Sequence, residues 1–188
     1  MRRALVMVGI IALAGPFSQA RAATVLALTV EELTGTSDRV IRGRVVSQET
    51  EAKKGLVFRL TTLDVIEDLA GEGPSRVVVR QLGGESGPHG VHIEGNAVFE
   101  VGEEVVVFVS IGRTGSSLVH VVGLSLGKFR VEQVEEEAIA VRNMTGVQLI
   151  RLDEARAVIE SRLSLDELRS RVRAADSQSR GSSRGDGR

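Results

Sequence analysis

Five consecutive apolar residues, Val105 to Val109 (VVVFV), constrain this chain more than any other feature. A strand with one wet face alternates apolar and polar side chains; this run does not, so both its faces need cover. It follows the turn Gly102-Glu103-Glu104 and reads as a central strand or a barrel stave.

The flanking segments do alternate. Arg39 to Thr50 puts Ile41, Gly43 and Val45 on one face and Arg42 and Arg44 on the other, and bare Gly43 admits close backbone approach. Leu56 to Asp68 turns Leu56, Phe58 and Leu60 inward and then slips to Leu63 and Val65, which predicts a β-bulge at Thr61-Thr62. Ser75 to Leu82 opposes Val77 and Val79 to Arg76 and Arg80. Gly83 to Gly95, with five Gly and a Pro, reads as a loop. Leu118 to Leu124 and Lys128 to Glu132 follow as strands, and Glu137 to Asn143 reads as the last and most exposed one.

Helical signals occur at two places. Thr29 and Glu32 have capping-box spacing ahead of a short first helix that Gly35 ends. From Leu149 the period becomes helical through Leu152, Ala155, Val158, Ile159 and Leu163. Ser164 to Glu167 repeats the capping pattern, and Leu165, Leu168 and Val172 continue the stripe, either packed on the sheet or offered to a partner as a docking arm. The expected class is mainly β: a small closed or partly open barrel, OB-like, with a short N-terminal helix and C-terminal α-helices.

Residues 1–22 read as a signal peptide. Arg2 and Arg3 precede an apolar stretch from Ala4 to Ala14, Gly15-Pro16 breaks it, and Ala20-Arg21-Ala22 carries small residues where a signal peptidase reads. The apolar stretch is well short of the ~20 residues that span a bilayer. The expected organisation is therefore residues 1–22 as signal peptide, 23–173 as one β-rich domain with C-terminal helices over 149–173, and 174–188 as a disordered Ser/Gly/Arg tail. The location is then periplasmic or extracellular.

Composition excludes several chemistries. The 188 residues contain no Cys, Trp or Tyr and only five Phe, so disulfides, thiolate chemistry, Cys-based zinc sites and an aromatic stacking surface are absent. Residues 1–22 hold three Arg and no acid, so their removal takes the formal charge from −1 to −4. The tail is net positive, which leaves residues 23–173 at about −5. That balance argues against a duplex nucleic-acid partner, whose phosphates need a basic face.

The order of short motifs carries a resemblance over residues 29 to 172. It runs through Asp38-Arg39-Val40 to Gly43-Arg44-Val45, Val65-Ile66-Glu67-Asp68-Leu69-Ala70-Gly71 and Gly83-Gly84. It continues through Phe99-Glu100-Val101-Gly102-Glu103 and Gly127-Lys128-Phe129-Arg130-Val131. This order resembles a family of uncharacterised secreted proteins of myxobacteria and related GC-rich bacteria. The resemblance implies an exported β-domain loosely similar to the OB-like barrels of protease-inhibitor and netrin-type modules. Those modules carry an N-terminal cysteine and disulfides, which this chain lacks, so their inhibitory mechanism is not implied.

Few residues are candidates for chemistry. Gly123-Leu124-Ser125-Leu126-Gly127 matches a nucleophile-elbow pattern, but a strand-like Lys128-Phe129-Arg130-Val131 follows and no His lies after His120. Gly123 to Lys128 is one residue short of a phosphate loop and has Phe129 where Ser or Thr would hold magnesium. His89 and His92, with Glu94 and Glu85 near in sequence, form the one candidate metal cluster. His120 sits in an apolar strand, Glu135-Glu136-Glu137 reads as a solvated turn, chance suffices for Arg184-Gly185-Asp186 in a Ser/Gly/Arg tail, and Asn143-Met144-Thr145 fits a glycosylation acceptor that a bacterial source leaves unmodified. No cofactor is implied. The expected function is a monomeric, non-catalytic binding or envelope-associated module whose ligand is a protein or surface molecule. The alternatives are a metal-dependent hydrolase on the His89/His92 loop and an accessory subunit docking through its C-terminal helix.

Overall fold

The computed structural model describes residues 23–86, 89–112, 118–150 and 159–183, apart from the side chains of 86, 89 and 181–183. The expected signal peptide lies outside the described residues.

The fold is mainly β. A strand, β1 (Ala23–Leu26), precedes the first helix, α1 (Val30–Thr36). The Thr29 hydroxyl accepts from Glu32 N while the Glu32 carboxylate accepts from Thr29 N, so two orphan donors of the first turn are satisfied together. Then come β2 (Arg39–Lys53), β3 (Leu56–Ala70) and β4 (Arg76–Leu82) as a meander. The glycine-rich segment holds a small ribbon of β5 (Gly84–Ser86) and β6 (His89–Val91). After it run β7 (Glu104–Ile111), β8 (Leu118–Val121), β9 (Lys128–Val134) and β10 (Glu137–Val141). β11 (Val147–Ile150), β12 (Arg162–Ser164) and α2 (Leu165–Ser183) complete the chain.

Eight strands form one sheet in the order β12-β10-β9-β7-β2-β3-β4-β8, and β8 also bonds back to β7. The sheet is thus partly ringed. β2, β3, β4, β8 and β7 close on one another through antiparallel pairs, except for a parallel contact between β4 and β8. One edge of β7 is shared: Val105 to Val107 pair with β9, and Val109 to Ile111 pair with β8. The sheet therefore branches at β7, into the ring on one side and into β9-β10-β12 on the other.

This branching accounts for the unbroken apolar run. Val105 through Val109 are all fully buried. Val105, Val107 and Val109 join Ile41, Val45, Leu63, Val77, Val79 and Val119 in a core to which every ring strand contributes. Val106 and Phe108 face the opposite way, into a second core with Phe129, Ala140, Leu33 of α1 and Leu165, Leu168 and Val172 of α2. The apolar stripe of α2 is thus buried within the chain.

Several local expectations change. Three β-bulges occur between β2 and β3, but the expected one lies on the other strand. Val46 of β2 is the extra residue, opposite Thr62 and Leu63. Thr61, Leu63 and Val65 then keep strict alternation on β3, with Thr61 and Leu63 fully buried. The other two extra residues are Ile66 and Leu69 of β3. Such bulges sharpen bending and twist, as ring closure requires. At Gly43 a Cβ would stand 2.9 Å from the Asp64 carbonyl oxygen, so the two strands approach there as only glycine permits.

The C-terminal part differs more. Leu149 and Ile150 are not helical: they pair in parallel with Val25 and Leu26, which the sequence pattern did not supply as a strand. Leu163 lies in β12 against Ala140, so β10 is neither last nor most exposed, and Ala140 is fully buried. Leu152 to Val158 fall outside the described residues. α2 starts where the second capping pattern put it, with Glu167 N donating to Ser164 Oγ at 3.1 Å. It passes Arg173, the expected end of order, and continues to Ser183. Ala175 is buried, and beyond it the Arg180–Asp176 pair, spaced i,i+4, supports the helix.

Candidate functional site

The segment between β6 and β7 crosses the end of the ring. Ala97 and Phe99 are buried in the ring core, and their carbonyls accept from Gln81 Nε2 at 3.0 Å and Gln48 Nε2 at 2.7 Å. This anchoring leaves Val98 pointing outward and turns its carbonyl toward Lys128. Lys128 opens β9 and is 9% exposed. Its Nζ donates to Val98 O and to Glu103 Oε1 at 2.7 Å and stands 5.0 Å from the Phe99 ring centre. Burial pushes the Lys128 ammonium below the ordinary lysine value, while the hydrogen bond and charge of Glu103 act against that shift.

The residues before Lys128 make a tight corner. Gly123 and Leu124 both have left-handed backbone, at φ 69° and 55°, and enter a short 3-10 turn over Leu124–Gly127. Gly127 is obligatory there, because a Cβ would fall 1.9 Å from the Val122 carbonyl oxygen. Ser125 N donates to Gly95 O at 2.8 Å, which ties the corner to the crossing segment. The Ser125 side chain is buried, and its Oγ has no hydrogen-bond partner. The Gly-x-Ser-x-Gly pattern is therefore a corner leading into a strand, not into a helix.

Arg142 stands just past β10, where its N–H donates to Ser161 O at 2.8 Å. Only 4% of this residue is exposed. The guanidinium stacks 4.2 Å over the Phe129 ring, and its buried Nε and Nη2 meet no acceptor. Burial pushes its pKa down to about 10, against the opposing charge of Glu160. Ser125, Lys128 and Arg142 line one cleft of about 540 Å³, with Asn96, Glu103 and Asn143 also on its wall. A second cleft of about 580 Å³, bearing Arg42, Arg44 and Glu104, adjoins it across Glu100, Glu103 and Arg130.

The candidate metal residues are less assembled. His92 Nε2 lies 3.5 Å from Glu94 Oε1, with both side chains well exposed. Glu85 and His89 sit on the paired ribbon strands β5 and β6. Among the described residues no three His, Asp or Glu side chains gather as a metal site. His120 faces outward on β8, its Nδ1 3.1 Å from Arg80 O. Glu135 and Glu136 form the exposed turn between β9 and β10, with Glu135 at φ 54°, and Glu137 opens β10 opposite Val134. The Asn143 side chain accepts from Thr145 N in a local turn, and Arg184 to Asp186 lie outside the described residues.

The sequence reading missed Arg142 and the Lys128–Glu103 pair. One signal was available: Arg142 continues the face of Ala140, so an inward arginine is what the register of β10 implies.

No protein-family model and no curated protein matches the chain. No helix among the described residues is long and apolar enough to cross a membrane.

Proposed function

We propose that this chain is an exported, monomeric, non-catalytic binding module built on an OB-like barrel, with its ligand site in the cleft between the crossing segment and β9–β10. Numbered by their place in the chain, the ring strands run one-two-three-five-four and back to one, with the parallel contact between three and five. That order fits a small closed barrel of the OB type. The observation that carries the binding reading is the cleft itself, a concavity of about 540 Å³ whose wall brings Glu103, Lys128, Arg142 and Asn143 together. A concave site with a few convergent polar groups favours a ligand.

The test is an activity panel of esters, peptides and glycans on purified residues 23–188. No turnover is expected; turnover that a single substitution abolishes overturns the reading. The metal-dependent alternative has the His92–Glu94 approach in its favour, and zinc titration separates the two. Binding below tens of micromolar that is lost in His92→Ala would support the metal centre.

A further inference from the structure

The chain has 24 basic residues, and only three of them are lysine. Lys128 is buried beside Glu103. The other two, Lys53 and Lys54, stand together where β2 turns into β3. Lys54 and Gly55 both have left-handed backbone, at φ 51° and 77°, so the long hairpin ends in a tight, convex two-residue turn.

The outer face of this tip is apolar. Cross-strand register sets Lys53 opposite Leu56, Glu51 opposite Phe58, and Phe58 opposite Leu82. Leu56 is 50% exposed and Leu82 41%, and the Arg80 guanidinium lies 3.6 Å over the Phe58 ring. None of these side chains belongs to either buried core.

Charge changes sign along the hairpin. At its end Lys53 and Lys54 meet one acid, Glu51, whose carboxylate is 4.0 Å from Lys53 Nζ. Arg80, drawn over Phe58, is level with Glu51 and offsets it. Glu49 stands four residues behind Lys53, about 14 Å at the strand rise, which exceeds a Debye length of about 8 Å. On the reverse face Arg59 and Glu85 balance each other in a hollow that Glu49 also borders. The tip is therefore cationic on a body whose formal charge is about −5.

We propose that the β2–β3 tip is a peripheral membrane anchor. Leu56 and Leu82 seat at the boundary between headgroups and acyl chains of an anionic bilayer, and Lys53 and Lys54 meet the lipid phosphates. A convex end with apolar side chains level with its cations suits a deformable surface, where lysine stems lie along the apolar layer and the ammonium heads stay wet. The tip lines neither of the two clefts, so this inference goes beyond the cleft reading and is independent of it.

The experiment is vesicle flotation of residues 23–188, which lack the apolar stretch Ala4 to Ala14 that would itself bind lipid. Vesicles of phosphatidylglycerol mixed with phosphatidylcholine are expected to carry the protein at low salt and release it as salt rises, whereas phosphatidylcholine alone does not. Lys53→Gln combined with Lys54→Asn should weaken partitioning about tenfold or more. That variant makes the turn Asn-Gly, the pair this backbone favours, so its lost binding is not lost fold. Leu56→Ser should weaken partitioning about threefold to tenfold. Val134→Ser, which removes an exposed valine at the far end of β9, should change nothing. Because the chain has no Trp, Leu56→Trp is a single reporter whose emission is expected to shift to the blue on anionic vesicles.

No flotation with anionic vesicles, equal binding to phosphatidylcholine alone, or an unshifted Leu56→Trp emission in the bound protein overturns the inference. So does binding that falls in the lysine variant yet persists in Leu56→Ser, which is adhesion by charge alone, as to an acidic protein.

Discussion

The two cores that share β7 are built from different material. The ring core is mostly β-branched: Ile41 and the valines at 45, 77, 79, 105, 107, 109 and 119 make up eight of its eleven buried residues, with Leu63, Ala97 and Phe99 the rest. The outer core, between the sheet and the two helices, uses Phe108 and Phe129, whose ring centres are 6.2 Å apart, with Leu33, Leu69, Leu163, Leu165 and Leu168. Valine suits the first because a compact side chain with one favoured rotamer fills a narrow space between strands that face one another. The second spans a wider gap between helix and sheet, where longer side chains reach across.

The fastening differs as well. The ring is closed by backbone ladders. The helical layer adds charge to its apolar contact: Glu67 of β3 receives Arg169 and Arg173 of α2, and Glu31 of α1 receives Arg171 of α2, which ties the two helices together. The comparison teaches that one strand supports two layers held by apolar burial, of which the helical one also depends on ionisation.

Adjacent substitutions on β7 break the comparison most forcefully. Phe108→Ala is expected to cost about 3–5 kcal/mol and Val107→Ala about 2 kcal/mol, both read as urea midpoints. Equal losses would mean that the two cores are not distinct. Amide exchange sharpens the result: Phe108→Ala should release the α2 amides first, and Val107→Ala the β4 and β8 amides.

Acid is the next lever. Hydrogen bonds from Arg169 to Glu67, and from Arg171 to Glu31, hold both glutamates below their ordinary value of 4.5. Their stabilisation is therefore complete above that value and fades as pH falls through the lower folded-state values. Near-ultraviolet signals of Phe108 and Phe129 should weaken below pH 4.5 before the strand signal does. Glu67→Gln should cost about 1 kcal/mol at neutral pH and flatten that acid response.

The smallest effect belongs to Arg76–Asp64, which joins β4 to β3 at 2.6 Å with both side chains exposed. Arg76→Ala should leave the urea midpoint unchanged, since solvent screens the pair. A clear loss there would mean that charge fastens the ring as well.

The sequence made the ring more legible than its surroundings. Alternation around Ile41, Gly43 and Val45 and the continuous run at Val105 to Val109 both point to strands, and the two buried faces that the run demands are present. The bulge was legible in kind but not in place. A shift of pattern on β3 looks the same whether the extra residue lies on β3 or opposite it on β2 at Val46. Leu149 was misread because its apolar spacing fits a helix, while the partner that makes it a strand, Val25, lies far away in sequence.

Beyond the buried Ala175, α2 carries no apolar signal, and the local Arg180–Asp176 pair is what supports it there. For the candidate site, the conspicuous motifs of Ser125 and the histidines drew notice through their spelling. Arg142 lacks a motif, and its significance comes from an acceptor that is missing, which only three-dimensional placement reveals.

The ring also has a seam. β2 and β3 are joined by thirteen registered pairs, whereas the parallel contact of β4 with β8 has two, Val78 with Leu118 and Val79 with Val119. A ringed sheet opens first where its stitching is shortest, and few backbone bonds hold that join. The partly ringed sheet therefore has a weak line at β4–β8, where amide exchange is expected to run ahead of that along the thirteen-pair ladder.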